Sequence, residues 1–431
     1  MKKGGILTLK EILSFVWENK YSDFYRKKYV SVGLSKKEVL DPKNFSKLPF
    51  LTRTELEAVL PGDRTFVGPE DVRFAVYTSG TTSQKPLVVY FSDIVEGKRK
   101  DQTFYLGIDP TFGTGAKRLY SLLPPLNKSF HHIFIQNCSS TRNKSFPIFG
   151  DLQNLPNNAV IMAETKADAL YATPTLAEIF YEILKKYYDT SKIKLLVLCS
   201  ETLTASRRQK LKELYPKAKI ANVYGSSETG NFILYPCSKI LKENKDLFHV
   251  LQPLITKAEL IDGELTITCA NNRAMPLIRY KTGDFFEIAK EKCGCGLSGP
   301  VLTWMGREGV DKIRAGGVEI KIGDVEKTFS GLNHLIGNGY QLHFYEERGQ
   351  SGAKTKIIIE IKEESVKAKF IPAENLKHEI LNYLMANWRL SGTSTLKDAI
   401  EKNFFEIPEI KLVKELSCTG VKARKLVSHL T

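Results

Sequence analysis

No apolar run in this chain approaches the length of a membrane span. Internal repeats and low-complexity segments are absent, and so is the Gly-x-x-x-x-Gly-Lys-[Ser/Thr] loop of the commonest nucleotide sites. No nucleic-acid-binding motif accompanies the basic excess of +15 over 431 residues, and the basic residues are dispersed. A dispersed pattern reads as a solvated, lysine-rich surface, which leaves nucleic acid the least favoured partner. The same excess suits an acidic carrier protein or an anionic cofactor. After the basic start Met1-Lys2-Lys3-Gly4-Gly5, Lys10 and Glu11 break the apolar stretch, too early for a signal peptide. The expected compartment is therefore the cytoplasm, with no membrane partner. Hydrophobic residues at 42% and charged residues at 26% describe a globular protein with ample core.

The length suggests two or three domains. Residues 1–70 read as mainly helical, with Leu9, Ile12, Leu13, Val16 and Trp17 on one helical face. From 72 to 235, strands alternate with helical patterns, as in the strand 195–199, the helix 205–214 and the strand 220–223. That alternation predicts an α/β sheet with helical crossovers. Short strands dominate 250–305, near 257–260, 264–268 and 285–288. A smaller α+β unit follows, with helices near 322–330 and 373–387 and strands near 338–346 and 355–362. The fold class is thus α/β: a large N-terminal α/β domain with parallel-type sheets (1–306), a hinge (307–312) and a small C-terminal α+β domain (313–431).

The most informative stretch is Tyr77-Thr78-Ser79-Gly80-Thr81-Thr82-Ser83-Gln84-Lys85-Pro86. Five consecutive positions carry a small hydroxyl or no side chain, between two apolar strand-like runs. Hydroxyls and successive backbone N–H groups make a receptor for phosphate oxygens, while the same composition also makes an ordinary polar hairpin turn. A second stretch, Asn222-Val223-Tyr224-Gly225-Ser226-Ser227-Glu228-Thr229-Gly230, adds a carboxylate able to hold Mg²⁺; it also reads as a capped helix start. A third, Pro276-Leu277-Ile278-Arg279-Tyr280-Lys281-Thr282-Gly283-Asp284, puts Asp284 where it could accept ribose hydroxyls, or forms a type II turn between strands. Gly306-Arg307 with Asp311, and Thr419-Gly420-Val421-Lys422-Ala423-Arg424, complete the set. A lysine delivered onto a reacting phosphate would clamp its transition-state charge.

In order and spacing these stretches resemble the adenylate-forming superfamily of acyl-CoA synthetases, adenylation domains and luciferases. The resemblance covers roughly residues 45–428, and Leu48-Pro49-Phe50-Leu51-Thr52 looks most like the phenylacetate–CoA ligase branch. It implies an acid–thiol ligase that joins a small carboxylic acid to AMP from ATP, releases pyrophosphate and passes the acyl group to a thiol, most often CoA. Residue by residue, it implies a phosphate loop at Thr78, Ser79, Gly80, Thr81 and Thr82, and an adenine-pocket strand end at Glu201. Tyr224, Gly225 and Ser227 would touch adenine and the α-phosphate, and Glu228 would hold Mg²⁺. Asp284 and Arg307 would hold the ribose, Asp311 would be the hinge residue, and Lys422 would assist adenylation. His131 and His132 lie where the family often has an aromatic or His residue near the acyl site; a satisfied structural role for them stays open. A homodimer is implied as well. Ser83, Gln84 and Val421 depart from the family pattern, as does the segment 308–311. Two other readings stay open: transfer to a carrier protein, protein thiol or amine, and a non-catalytic nucleotide-binding relative. Phe130, Phe134, Phe146, Phe149 and Phe232 suit an aromatic or medium apolar acid, or else a core.

Seven cysteines in a cytoplasmic chain do not predict disulfides. Cys293 and Cys295 form a tight pair, with Cys237 and His249 upstream. Three thiols and one imidazole suit a structural Zn²⁺, and members of the branch look similar here; the alternative is a set of buried, reduced residues.

Overall fold

A computed structural model describes residues 7–78, 86–92, 114–122, 146–150, 154–229, 231–250, 255–270, 272–291, 293–297, 299–307, 311–315, 318–349, 352–391, 394–417 and 425–429. The chain separates into two compact units, Met1–Ser200 with Lys212–Met305, and Glu201–Leu211 with Gly306–Thr431. No helix among the described residues is long and apolar enough to cross a membrane.

The first unit opens with short helices that begin where the sequence caps them. Thr8 caps Leu9–Trp17, Ser35 caps Lys36–Leu40 and Thr52 caps Arg53–Ala58, each in a reciprocal box with Glu11, Glu38 or Glu55. Such boxes satisfy two of the backbone donors that a helix start leaves open. The first helix buries Ile12, Leu13 and Val16, as its spacing predicts.

Five strands form an all-parallel sheet in the order 146–149, 118–121, 169–172, 195–198, 219–222. Its inner strands Ala169–Ala172 and Leu195–Leu198 are buried along their whole length. Continuous burial is what helical crossovers on both faces impose, and it explains why these strands read as unbroken apolar runs. The α/β expectation is met here. A second, seven-stranded sheet runs 257–261, 264–269, 277–288, 301–307, 248–250, 231–235, 224–226. The pairings described for it are antiparallel, unlike the parallel-type arrangement expected for the domain. Its short connections explain this, because antiparallel neighbours need only a tight turn.

One strand is longer than its sequence suggests. The stretch around Gly283 reads as a turn, yet Leu277–Ile288 is one strand. Opposite Glu264 and Thr266 its partners are Phe285 and Lys281, so 282–284 carry extra residues as a bulge. Gly283 sits there at φ +73°, a conformation that favours glycine. A bulge re-aims a side chain without ending the strand. The side chain that benefits is Asp284.

In the second unit, Tyr340–Gly349 and Gly352–Lys362 form a central antiparallel hairpin flanked in parallel by Leu426–Ser428 and Glu409–Val413. The helices Ile322–Ser330 and Ala373–Asn387 contribute Val325, Phe329, Leu376, Ile380 and Leu384 to its core, beside a fully buried Trp388.

Candidate nucleotide and metal sites

The strands Val72–Tyr77 and Val88–Ser92, which flank the hydroxyl-rich stretch in sequence, pair antiparallel as a hairpin. Thr78 closes its neck. Its N–H donates to the Leu87 carbonyl at 3.0 Å, and its Oγ1 accepts from the Leu87 N–H at 2.9 Å. Ser79, Gly80, Thr81 and Thr82 lie outside the described residues, as do His131, His132, Phe130, Phe134 and Lys422.

Tyr224 begins the strand Tyr224–Ser226, which turns through 227–229 into Asn231–Tyr235. The segment is therefore a hairpin and not a capped helix start. Thr229 holds the turn: its Oγ1 accepts from the Ser226 N–H at 3.1 Å and donates to the Ser226 carbonyl at 2.9 Å. The hairpin carries Gly225, Ser227 and Glu228 together, with Glu228 5% exposed.

Tyr224 donates its hydroxyl to Asp284 Oδ2 at 2.6 Å. Asp284, 1% exposed, is aimed by the bulge, where its N–H also meets Thr282 Oγ1 at 3.2 Å. The Tyr224 ring meets Phe286 edge-on at 5.2 Å and Trp304 at 5.7 Å. Tyr224 and Asp284 thus share one sheet, and Glu228 sits in the turn that follows the strand of Tyr224.

Sequence reasoning missed two residues at this place. Tyr280 donates to Glu228 Oε1 at 3.3 Å, and Arg53 Nη1 donates to the same oxygen at 3.0 Å. Arg53 Nη2 reaches Thr78 Oγ1 at 2.7 Å, and Nε reaches Glu57 Oε1 at 2.6 Å. Arg53 and Glu57, four apart, have the spacing of an ordinary helix pair. The only signal was their position directly after the Leu48–Thr52 phrase.

The approach of Arg53 is set by a β-bridge from Leu51 to Tyr280. The Leu51 N–H donates to the Arg279 carbonyl at 3.0 Å, and the Lys281 N–H to the Leu51 carbonyl at 2.9 Å. Arg279, buried, donates to the Ser46 and Leu48 carbonyls at 2.7 and 2.5 Å and lies 4.1 Å over the Phe50 ring. The segment leading to Arg53 is fastened to the strand that carries Tyr280 and Asp284.

Glu201, Arg307 and Asp311 fall in the second unit. Arg207 Nη1 lies 3.7 Å from Glu201 and Nη2 3.1 Å from Glu326. The Arg307 N–H meets Asp311 Oδ2 at 3.1 Å, and the Asp311 N–H returns to the Arg307 carbonyl at 2.9 Å. Gly306 precedes them at φ +100°, and a Cβ there would sit 3.1 Å from that of Asp311.

Of the expected acyl-site phenylalanines, Phe232 is 8% exposed and meets Tyr171 edge-on at 5.9 Å. Tyr171 lies 3.5 Å from Cys199 Sγ in the same buried cluster. Phe149 is 38% exposed.

Cys237, His249, Cys293 and Cys295 converge with their ligand atoms all within 4.8 Å of one another. Cys237 Sγ is 3.3 Å from Cys293 Sγ, and Cys295 Sγ is 3.4 Å from His249 Nε2. Two thiolates bound to one tetrahedral zinc at about 2.3 Å lie about 3.8 Å apart, so the spread fits a common centre. All five cysteines among the described residues are free thiols. Burial pushes the Cys293 thiol up to about 12, with Cys237 adding to it. Burial also acts to raise Cys295, but the Leu297 N–H and the neighbouring thiols outweigh it and lower that group. Burial lowers His249, favouring the neutral imidazole that a metal needs.

The family model described as AMP-binding enzyme matches residues 27–254. A phenylacetate-coenzyme A ligase of Thermus thermophilus is 23% identical over 407 residues, 86% of either chain. A D-alanine–D-alanyl carrier protein ligase of Bacillus licheniformis is 24% identical over 167 residues, 38% of this chain and 32% of that one. Among solved structures, a 2-hydroxyisobutyryl-CoA ligase in its postadenylation state superposes with a TM-score of 0.70. That match covers 97% of this chain and 88% of the other at 17% identity, a likeness of fold.

Proposed function

Because the chain belongs to the AMP-binding enzyme family, we propose that it activates a carboxylic acid with ATP and passes the acyl group to CoA. The single observation that carries this reading is a chain of contacts among three distant stretches: Arg53 joins Thr78 to Glu228, Tyr280 meets Glu228, and Tyr224 holds Asp284 on the strand of Tyr280. Support for an aromatic acid comes from the phenylacetate-coenzyme A ligase relative and from the buried Tyr171–Phe232 pair.

In the first step, a carboxylate oxygen attacks the α-phosphorus in line. The bond to the bridging oxygen breaks, and pyrophosphate leaves with the electron pair. The protein's part is positioning and charge neutralisation. Thr78 begins the loop that would hold the phosphates, and Asp284 would hold the ribose hydroxyls, its carboxylate fixed by Tyr224. Glu228 fits a Mg²⁺ ligand, since Oε1 is committed to Arg53 and Tyr280 while Oε2 has no partner among the described residues. When bound, Mg²⁺ would neutralise the charge that builds on the phosphates. Lys422, Arg307 and Glu201 keep the roles the resemblance implies. In the second step, a thiolate attacks the acyl carbon and AMP leaves with the bridging oxygen. Rotation of a domain 313–431 about 307–312 would admit the thiol.

Cys237, His249, Cys293 and Cys295 are proposed to hold a structural Zn²⁺. Four protein ligands close such a site, so it takes no part in the chemistry. A reduced, cytoplasmic setting suits these free thiols. A homodimer belongs to the same reading.

The test is ATP–pyrophosphate exchange across a panel of aromatic and aliphatic acids, followed by thioester assays with CoA and with an acidic carrier protein. Acid-dependent exchange and a CoA thioester are expected. The net charge of +15 and the carrier-protein ligase relative favour the carrier as the second acceptor. Nucleotide binding without exchange for any acid would identify a non-catalytic relative.

A further inference from the structure

We propose that Arg53 is a polyphosphate-binding residue that presets the triphosphate site before ATP arrives. Its guanidinium spans the two groups that must act together on the phosphates. Nη2 donates to Thr78 Oγ1 at 2.7 Å, and Nη1 donates to Glu228 Oε1 at 3.0 Å. Nε is held by Glu57 at 2.6 Å, which fixes the plane of the fork. A guanidinium has five N–H donors. Three are used in these bonds, and one on each terminal nitrogen stays available to phosphate oxygens.

Both partners are left ready for a ligand. Thr78 Oγ1 accepts from Arg53 and from the Leu87 N–H, so its own proton is what it can offer a phosphate. Glu228 Oε1 accepts from Arg53 and Tyr280, which would leave Oε2 for a cation. The Arg53 side chain is 24% exposed, against 6% for Glu228 and 12% for Glu57. Arg53 therefore lies where a solvent-borne ligand can reach it, with its carboxylate partners packed behind. A planar fork paired with phosphate oxygens gives charge-assisted, bidentate hydrogen bonds that an ammonium cannot reproduce.

The backbone makes this placement rigid. Thr52 caps the helix that starts at Arg53, and one residue earlier Leu51 bridges to Tyr280, whose hydroxyl holds Glu228. Arg53, tied through Leu51 to the strand of Tyr280, thus links Thr78 to Glu228. The inference rests on the reading of the loop beginning at Thr78 as a phosphate site, and adds a residue from outside the expected set.

The experiment compares full-length wild type with Arg53→Ala and Arg53→Lys. Equilibrium binding of α,β-methylene-ATP with Mg²⁺ is measured beside binding of AMP, which lacks the β- and γ-phosphates. Arg53→Ala is expected to weaken the triphosphate analogue at least tenfold and AMP less than twofold. It should raise the KM for pyrophosphate in exchange, while thioester formation from presynthesised acyl-AMP stays within twofold. Arg53→Lys should fall between, since it restores charge without the fork. Equal weakening of both nucleotides, or no weakening, would overturn the proposal. If Arg53→Ala fails to fold, Arg53→Lys decides by the same nucleotide split. A wild type that binds the analogue but activates no acid refutes the ligase reading alone, and the binding arm still judges Arg53. A wild type that does not bind the analogue refutes both.

Discussion

Replacing Tyr224 with Phe removes one oxygen and leaves the ring in place. The contacts to Phe286 at 5.2 Å and Trp304 at 5.7 Å survive, so almost no apolar burial is lost. What disappears is the 2.6 Å donation to Asp284 Oδ2, at a carboxylate 1% exposed to solvent. A hydrogen bond to a charged group contributes about 1.5–3 kcal/mol, and a buried acceptor deprived of a donor retains its desolvation cost. The first unit should therefore lose about that much stability. For a domain of about 150–250 residues each kcal/mol moves the melting midpoint by about 2–4 °C, and the lower edge applies to a larger unit. A drop of about 3–6 °C in the transition of the first unit is expected. The assay is calorimetry on Tyr224→Phe beside Tyr224→Ala, which also loses the ring contacts and should cost more. AMP affinity should fall in the same variant by roughly tenfold, since about 1.4 kcal/mol of misplaced Asp284 contact is a factor of ten. A Tyr224→Phe protein that melts within 1 °C of wild type and binds AMP equally well would show that Asp284 does not depend on this hydroxyl.

Two further predictions concern other parts of the molecule. Purified protein should carry one zinc per chain; Cys293→Ser or a strong chelator should remove it and lower the melting midpoint of the first unit. Metal below a tenth of an equivalent, with stability unchanged by chelation, would leave the four residues as reduced thiols and imidazole. In the second unit, burial lowers His343, although Glu360 beside it acts to raise it. A histidine depressed on folding binds fewer protons than its unfolded counterpart, so its stabilisation is present above its ordinary value and fades as pH falls below about 6.5. Glu360 adds in the same direction at lower pH: burial opposes its charge, but Ser417 and His343 hold it below the usual range. The second unit should weaken from neutral pH downward, and His343→Gln should flatten the upper part of that slope. A variant whose profile overlays the wild type between pH 5 and 7 would assign the slope elsewhere.

Much of the architecture was legible because it rests on local pattern. The flanks of the hydroxyl-rich stretch alternate as strands and pair as a hairpin, and 205–214 and 373–387 read as the helices they form. The quartet of Cys237, His249, Cys293 and Cys295 was legible from residue type, although 43 residues separate its two halves. Other features depend on tertiary pairing. Gly283 carries a turn signal, and only the register against Glu264 and Thr266 makes it a bulge inside one strand. Arg53 is not legible in the sequence because its partners Thr78 and Glu228 are 25 and 175 residues away. Nothing local distinguishes such an arginine from a solvated one, since an exposed i,i+4 pair is favoured on its own.

The measurement that reaches the central claim most directly follows oxygen rather than rate. An acid from the panel, labelled with oxygen-18 in its carboxylate, is incubated with the protein, ATP, Mg²⁺ and CoA, and the AMP is analysed by mass spectrometry. Attack of the carboxylate on the α-phosphorus, followed by thiolate attack on the acyl carbon, leaves one labelled oxygen on AMP and none on pyrophosphate. That outcome is predicted for the wild type, with the labelled AMP reduced at least tenfold in Glu228→Gln. Label-free AMP formed with each acid on the panel, or label in inorganic phosphate, would contradict acid adenylation.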